Sequence, residues 1–236
     1  MRTWVARVAV IGAAGLAVLT LGAYALLAGA VASPSGTVAG YTVGSAATGR
    51  ARVSFMVPTI PCGLPEVSPI LAGVSVWDRG GNDVGAVVRL SCITSIAPPR
   101  YTAEGFYYSS AAGTVTVTPL MTVTPGQIVV TTAVVGSPSS TAVIDDATTH
   151  VVKTATYGAS GFGPSIVGMF CSTNWNAAVP CASSPRFKDI VFAGALVDGK
   201  PLASFAPAGS RLAGVGFTVT PSALNAAGRA FRDTYR

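Results

Sequence analysis

Short runs of β-branched and aromatic residues recur along most of this chain, roughly every ten residues, with turns rich in Gly and Pro between them. Within one run, Val115 and Val117 are flanked by threonines, which is typical of a strand with one buried and one solvated face. The pattern predicts an all-β fold, a double-sheet antiparallel β-sandwich without an internal repeat. The predicted strands are Arg52–Pro58, Ile70–Trp77, Val84–Cys92, Tyr101–Tyr108, Thr114–Pro119, Gln127–Val135, Thr141–Ile144, His150–Thr156, Ser165–Phe170, Phe187–Ala193, Val215–Thr220 and Phe231–Tyr235.

The composition agrees with this fold class and narrows the partners. Only 10% of the 236 residues are charged, and Lys, Glu, Gln and Leu, on which stable helices depend, are scarce. The formal net charge of +6 is spread along the chain without a Lys/Arg run, so nucleic acid binding is not expected.

The N-terminal segment is typical of an export signal. Met1–Arg7 is basic, and Val8–Ala32 is uncharged and almost wholly apolar, ending in small residues at Ala30–Ala32. The apolar stretch exceeds the roughly 15 residues of an ordinary signal core and reaches the roughly 20 that span a bilayer. Residues 1–32 are therefore predicted to form a hydrophobic helix, either a cleaved signal peptide or a retained membrane anchor. Both place the rest of the chain outside the cytoplasm.

Two further regions complete the predicted organisation. Residues 33–48 are small and polar enough for a linker, although Val38–Val43 is also a candidate first strand. Residues 49–236 form the predicted β-sandwich domain.

Four cysteines fit an exported protein. The pairing Cys62–Cys92 with Cys171–Cys181 keeps both loops local and is the preferred one of three. The alternative, a zinc site, has neither a Cys-x-x-Cys motif nor a nearby histidine. Disulfides are therefore predicted, with no metal and no cofactor.

Few residues of the sequence are candidates for catalysis or ligand binding. His150, the only histidine, follows Asp145 and Asp146 at a predicted hairpin, where capping of the turn explains the aspartates better than catalysis or cation binding. Trp175 lies between two asparagines in the loop from Cys171 to Cys181, where an aromatic side chain can stack on a sugar or a peptide.

Seven segments, in order along the chain, resemble motifs of the eqolisins, a family of glutamic peptidases. The resemblance implies a concanavalin A-like jelly roll, a double-sheet sandwich, with acid endopeptidase activity. The segments are Thr37–Tyr41 (Asn-Trp-Ala-Gly-Tyr in the family), Phe55–Thr59 (Phe-Thr-Val-Pro-Thr), Leu71–Val76 (Trp-x-Gly-Leu/Ile-Asp-Gly), Tyr101–Tyr108 (Tyr-x-Ala-Trp-Trp-Glu-x-Tyr), Val123–Gln127 (Val-x-Pro-Gly-Asp), Asp146–Thr149 (Asp-x-Thr-Thr) and Thr220–Leu224 followed by Gly228–Phe231 (Thr-Pro-Ser-x-Leu, then Gly-x-x-Phe).

The chain departs from the family where the family does its chemistry. Eqolisins pair a Glu, the general base, with a Gln that orients the water and stabilises the oxyanion. The strand resembling the Gln strand, 84–91, contains no Gln, and 164–168, resembling Glu-Trp-Ile-Val-Glu, contains no Glu. Ser75 stands in place of the family's Asp, and no catalytic residue carries over.

The sequence therefore favours an exported, non-catalytic eqolisin-like sandwich with a groove for a peptide or a glycan. Its predicted ligand contacts are Glu104, Phe106, Tyr108 and Trp175, and a retained N-terminal helix would tether it to the membrane. Two alternatives are an acid endopeptidase with a different residue pair, built around Glu104, and a structural protein of the cell envelope.

Overall fold

The computed structural model describes residues 37–62, 67–92, 98–171, 186–214 and 216–236. They form strands and one 3-10 helix, which confirms the predicted all-β sandwich. The elements are β1 (Val38–Thr48), β2 (Arg50–Met56), β3 (Val67–Trp77), β4 (Asp83–Cys92), β5 (Arg100–Ser109), β6 (Thr114–Thr122), β7 (Ile128–Val134), β8 (Ser140–Asp146), β9 (Val151–Tyr157), β10 (Gly163–Cys171), β11 (Asp189–Val197), β12 (Lys200–Pro201), η1 (Leu202–Phe205), β13 (Ala208–Ser210), β14 (Leu212–Gly214), β15 (Phe217–Pro221) and β16 (Phe231–Tyr235).

The strands form two antiparallel sheets. One has seven strands in the order β13-β1-β10-β3-β4-β5-β6. The other has nine, in the order β14-β15-β16-β11-β2-β7-β8-β9, with β12 paired to β11. Neighbours in each sheet are often distant in sequence, and such non-local pairing is usual in β-sandwiches.

The main core lies between the sheets because strands turn alternate side chains inward. On β2 the buried residues are Ala51, Val53 and Phe55, each next to a more exposed one. Phe192 on β11 continues this layer, with its ring centroid 5.3 Å from that of Phe55 and 5.0 Å from that of Phe231. The alternation visible in the sequence thus selects the side chains that join the sheets.

A disulfide connects the two sheets at one end of the sandwich. Cys62, which follows β2, bonds to Cys92 at the end of β4 across a Cα–Cα distance of 5.5 Å. Nearby, the amide of Ile60 donates a hydrogen bond to the Tyr101 hydroxyl at 3.0 Å. The predicted Cys62–Cys92 pair is therefore confirmed, whereas Cys181 of the second predicted pair lies outside the described residues.

Several short elements were not predicted, namely η1 and the strands β12, β13 and β14, none longer than four residues. The first strand is longer than the candidate Val38–Val43 and pairs with β10, so the sandwich begins at β1 rather than at residue 49. The predicted N-terminal helix and the signal or anchor at 1–32 lie outside the described residues. Among the residues that are described, no helix is long and apolar enough to cross a bilayer.

Candidate functional site

The seven-stranded sheet has an outer face, turned away from the core, on which the predicted groove would lie. On β4, Val84, Ala86 and Val88 enter the core, so Val87 and Arg89 point to the outer face. The same alternation assigns alternate residues of the neighbouring strands to this face. They include Val38, Gly40 and Thr42 on β1, Leu71, Gly73, Ser75 and Trp77 on β3, Glu104, Phe106 and Tyr108 on β5, and Ile166, Gly168 and Phe170 on β10.

The outer face carries a second apolar cluster, separate from the core between the sheets. Its six buried members are at most 5% exposed, and the side chains of Trp77 and Val115 pack against them. A sheet face that holds a working peptidase site must keep polar groups accessible to water and substrate. This face is instead largely aliphatic and aromatic. The six residues are Val38, Leu71, Val87, Phe106, Ile166 and Phe170.

Phe106 lies directly on the backbone of Gly85. The two residues are cross-strand partners on β5 and β4, and a Cβ added at Gly85 would come within 2.1 Å of the ring atom Cε1. No larger side chain, an amide included, fits at position 85 unless the ring moves. Besides Gly85, the outward positions of β4 hold Asp83, Val87, Arg89 and Ser91, so none of them is Gln.

A row of three glycines crosses the same face. Gly40, Gly168 and Gly73 stand in register on β1, β10 and β3. Their φ angles are 130°, 149° and 154°, and a Cβ on any of them would come within 2.3 Å of a backbone oxygen on the neighbouring strand. Gly168 lies on the strand that resembles the family's Glu strand, so a Glu side chain cannot be added there without a change of backbone.

Glu104 is held by Arg89. The Arg89 Nε donates to Oε1 at 2.9 Å and to Oε2 at 3.0 Å, and Nη2 donates to Oε1 at 2.6 Å. The Glu104 side chain is only 3% exposed and that of Arg89 is 28% exposed. Glu104 thus lies on the predicted face, but its carboxylate is occupied, and the accessible end of the pair is the cation.

Asp83 is a second carboxyl on this face, beside Ser75 and Trp77. It is 2% exposed, and neither oxygen accepts a hydrogen bond of normal geometry from the described residues. Burial raises the pKa of Asp83 well above its usual range, which Ser75 and Trp77 only partly offset. The Trp77 Nε1 donates to the Ser75 hydroxyl at 3.0 Å. Asp83 is therefore buried, and its proton is held more tightly than that of an exposed aspartic acid.

A carboxylate and an amide do meet in the β3–β4 turn, at the end of these two strands. The Asn82 Nδ2 donates to Asp78 Oδ2 at 2.8 Å, and Ser160 Oγ and the Gly161 amide donate to the same oxygen at 3.2 Å. Partial burial raises the pKa of Asp78, but these hydrogen bonds outweigh it and the net shift is downward. This pair joins the β3–β4 turn to the loop between β9 and β10, and its hydrogen-bonding groups are occupied by these contacts.

The other predicted residues lie elsewhere or are less accessible than expected. Phe106 is buried, and Tyr108, on the same face of β5, is partly exposed. Trp175 lies outside the described residues. His150 is in the β8–β9 turn, where Asp146 accepts hydrogen bonds from the amides of Thr148 and Thr149, so the aspartate caps the turn.

A cavity of about 600 Å³ lies where β5 begins and β6 ends. Arg100 is the charged residue in its lining, which contains no carboxylate. No three metal-ligating side chains come together in the part of the chain that the structure describes. The other residues that line the 600 Å³ cavity are Thr59, Pro98, Pro99, Tyr101, Thr102, Thr122, Val123, Thr124 and Pro125.

The fold is similar to that of known peptidases although the sequence is not. No family profile and no curated protein matches the sequence. A scytalido-glutamic peptidase with a transition state analogue inhibitor superposes with a TM-score of 0.62 at 13% identity, covering 85% of this chain and 98% of that chain. A complex of such a peptidase with a peptide-based analogue gives a TM-score of 0.59 at the same identity and coverage.

A third solved structure agrees. SCP-B, a member of the eqolisin family, in complex with the tripeptide Ala-Ile-His, gives a TM-score of 0.57, again at 13% identity over 85% of this chain and 98% of that chain. The resemblance found in the motifs is therefore confirmed at the level of the fold. The chain has an eqolisin-like β-sandwich.

Proposed function

We propose that this chain is an exported, non-catalytic protein with the fold of a glutamic peptidase, whose seven-stranded sheet binds a ligand without cleaving it. The observation that carries the proposal is the chemistry of the outer face. A buried apolar cluster and a closed Arg89–Glu104 ion pair lie on this face, whose strands include those that resemble the family's Gln and Glu strands.

Glu104 is a poor general base. A base must accept a proton from a water within hydrogen-bond reach, but both Glu104 oxygens already accept N–H groups of Arg89. Freeing the carboxylate would leave an unpaired charge in a site that is 3% exposed, at a cost of about 3–5 kcal/mol.

Asp83 does not replace it. Its raised pKa keeps it protonated at acid pH, and burial closes it off from a substrate. A protonated acid can donate a proton, but hydrolysis also needs a base for the water and a donor for the oxyanion. The outward side chains at 85, 87, 166 and 168 are Gly, Val, Ile and Gly, which supply neither.

The outer face of the seven-stranded sheet nevertheless carries groups that can bind a ligand. Tyr108 and the guanidinium of Arg89 are partly exposed towards opposite ends of the β4–β5 pair, since Tyr108 stands opposite Asp83 and Arg89 opposite Thr102. An aromatic ring and a cation separated in this way suit the two ends of an extended peptide or glycan. The Cys62–Cys92 disulfide supports an oxidising, extracytoplasmic setting. Trp175 would add a stacking surface if its loop borders this face.

A peptide library and a glycan array test the binding part of the proposal. We expect saturable binding of at least one class by the full chain, weakened in Tyr108→Ala and in Arg89→Lys, which keeps a cation beside Glu104, and unchanged in Lys153→Gln, a charge removal on β9 of the other sheet. Trp175→Ala tests the loop separately. Absence of binding to both collections would refute the proposal and favour a structural role in the envelope.

A further inference from the structure

A small cavity on the other sheet is flanked by two arginines. Arg50 and Arg52 lie two residues apart on β2, and both are exposed while Ala51 between them is buried, so both point to the outer face of the nine-stranded sheet. Together with Leu196 and Gly199 they line a cavity of about 220 Å³. This cavity is on the opposite side of the sandwich from the candidate binding face.

The two guanidinium groups have no carboxylate partner among the described residues. The ion pairs found there join Arg89 to Glu104 and Arg232 to Asp189, both away from this cavity. Two unpaired cations on one face of a strand repel each other, and an anion between them would turn that repulsion into attraction. The positive charge of the cavity therefore favours an anionic ligand.

Asp198 is the acidic group beside the cavity, and its role is structural. Its Oδ1 accepts the amide of Gly49 at 3.0 Å and the amide of Arg50 at 2.8 Å. The residue has a φ of 46° and Gly199 a φ of 76°, the conformation of an Asp-Gly hairpin turn between β11 and β12. The carboxylate thus fixes the turn against β2 and does not pair with either guanidinium.

The surrounding strands hold the site in place. β2 is flanked by β11 and β7, and Arg52 is the cross-strand partner of Leu196 in the cavity wall. Both arginines therefore extend from the interior of a sheet rather than from a loop. A site on a rigid element can direct two planar guanidinium forks at one group.

We infer that this cavity binds a tetrahedral oxyanion, a phosphate or sulfate group, between Arg50 and Arg52. Guanidinium groups match such oxyanions with paired N–H donors. The cavity is smaller than the roughly 300–1,000 Å³ of drug-sized pockets, so it accepts one charged group rather than a whole ligand. The inference is independent of the function proposed for the other sheet.

Phosphate titration of the full chain, followed through the backbone amide resonances of Arg50 and Gly199 at constant ionic strength, tests the inference. We expect saturable shifts at millimolar phosphate, with affinity lowered about tenfold or more in Arg50→Gln and in Arg52→Gln. The matched control Arg211→Gln removes the same charge from an exposed position outside the cavity and should bind as the unchanged protein does. Non-saturable shifts, or an equal loss of affinity in Arg211→Gln, would overturn the inference.

Two further binding experiments identify the kind of molecule that carries the phosphate group. Glucose 6-phosphate presents it on a soluble sugar, and phosphatidylglycerol vesicles present it at a membrane surface. Binding of either one that depends on Arg52 supports the site and names its source. If the folded Arg50→Gln and Arg52→Gln proteins bind phosphate, sugar phosphate and vesicles as well as the unchanged protein does, the arginines do not form a site.

Discussion

Arg89 and Glu104 form a closed ion pair on the outer face of the seven-stranded sheet, with three N–H···O contacts of 2.6–3.0 Å. They are not direct cross-strand partners, because Arg89 stands opposite Thr102 and Glu104 opposite Val87. Their side chains meet diagonally, on adjacent strands of one face. The pairing occupies the carboxylate of Glu104, the acid around which the alternative endopeptidase would be built.

Arg89→Met should destabilise the protein more than Glu104→Gln. Loss of the arginine leaves Glu104 charged and buried, at a cost of about 3–5 kcal/mol in the free energy of unfolding, whereas loss of the glutamate leaves an arginine that can reach water. Urea denaturation of both variants measures the difference. The exposed pair Arg232–Asp189 is the control, since Arg232→Gln should cost no more than about 1 kcal/mol. Equal losses in Arg89→Met and Glu104→Gln would contradict the account.

Gly85→Ala should destabilise the protein by about 1–3 kcal/mol, since the new methyl group would overlap the Phe106 ring. The loss should shrink in the background of Phe106→Leu, which removes the ring atoms Cε1 and Cζ that the methyl would meet. A double-mutant cycle from chemical denaturation gives the coupling. Additive effects of the two substitutions would show that the ring does not lie on Gly85.

Gly168→Ala should cost more than about 1 kcal/mol, because φ is 149° there and a Cβ would meet the Ala39 carbonyl oxygen. Gly44→Ala, on β1, is the matched control. A Cβ at Gly44 meets nothing within 4 Å, and its effect should be small. Thermal unfolding compares the stability of the two variants. A Gly168→Ala protein as stable as Gly44→Ala would show that the backbone at position 168 does not require glycine.

Asp233 should make the protein more stable in acid than at neutral pH. Burial raises its pKa from 3.8 to about 8, and neither oxygen accepts a hydrogen bond from the described residues. Because the folded-state pKa lies above the unfolded value, this stability is fully present below about pH 4 and is lost as the pH rises to about 8. Asp233 alone should contribute a slope of about −1.4 kcal/mol per pH unit to the free energy of unfolding in that window.

Asp233→Asn removes this titration. The variant should gain stability relative to the unchanged protein as the pH rises from about 4 to about 8, measured as the difference in unfolding free energy at each pH. Asp83 shifts in the same direction, so part of the slope should remain in Asp233→Asn and disappear in the Asp83→Asn/Asp233→Asn protein. A stability that falls on acidification over this window would contradict the assignment.

Local patterns predicted most of the fold. Short β-branched and aromatic runs and the turns between them placed twelve strands close to where the structure has them, and the preference for local cysteine pairing pointed to the Cys62–Cys92 disulfide. The predicted buried face of the Val115 strand was wrong in part, because Val117 on this edge strand is 40% exposed and Val115 packs on the outer face. Strands of two or three residues such as β12 and β13 have no periodicity to detect, and their conformation depends on a neighbouring strand.

The candidate site was less predictable because its features depend on register between strands. Glu104 and Arg89 are fifteen residues apart, and only the β4–β5 pairing brings them together. The glycine row likewise joins Gly40, Gly73 and Gly168 from three strands. The burial of Asp233 depends on how β16 packs, which its polar sequence does not indicate.

Cleavage of an unfolded protein substrate at about pH 3.5, where glutamic peptidase chemistry would operate, distinguishes a non-catalytic sheet from an active one. Peptide fragments would be counted by mass spectrometry for the unchanged chain, Glu104→Gln and Asp83→Asn. We expect no fragments above those formed without protein, and the same result for all three proteins. Fragments that form with the unchanged chain and disappear in Glu104→Gln or Asp83→Asn would show that this sheet catalyses hydrolysis after all.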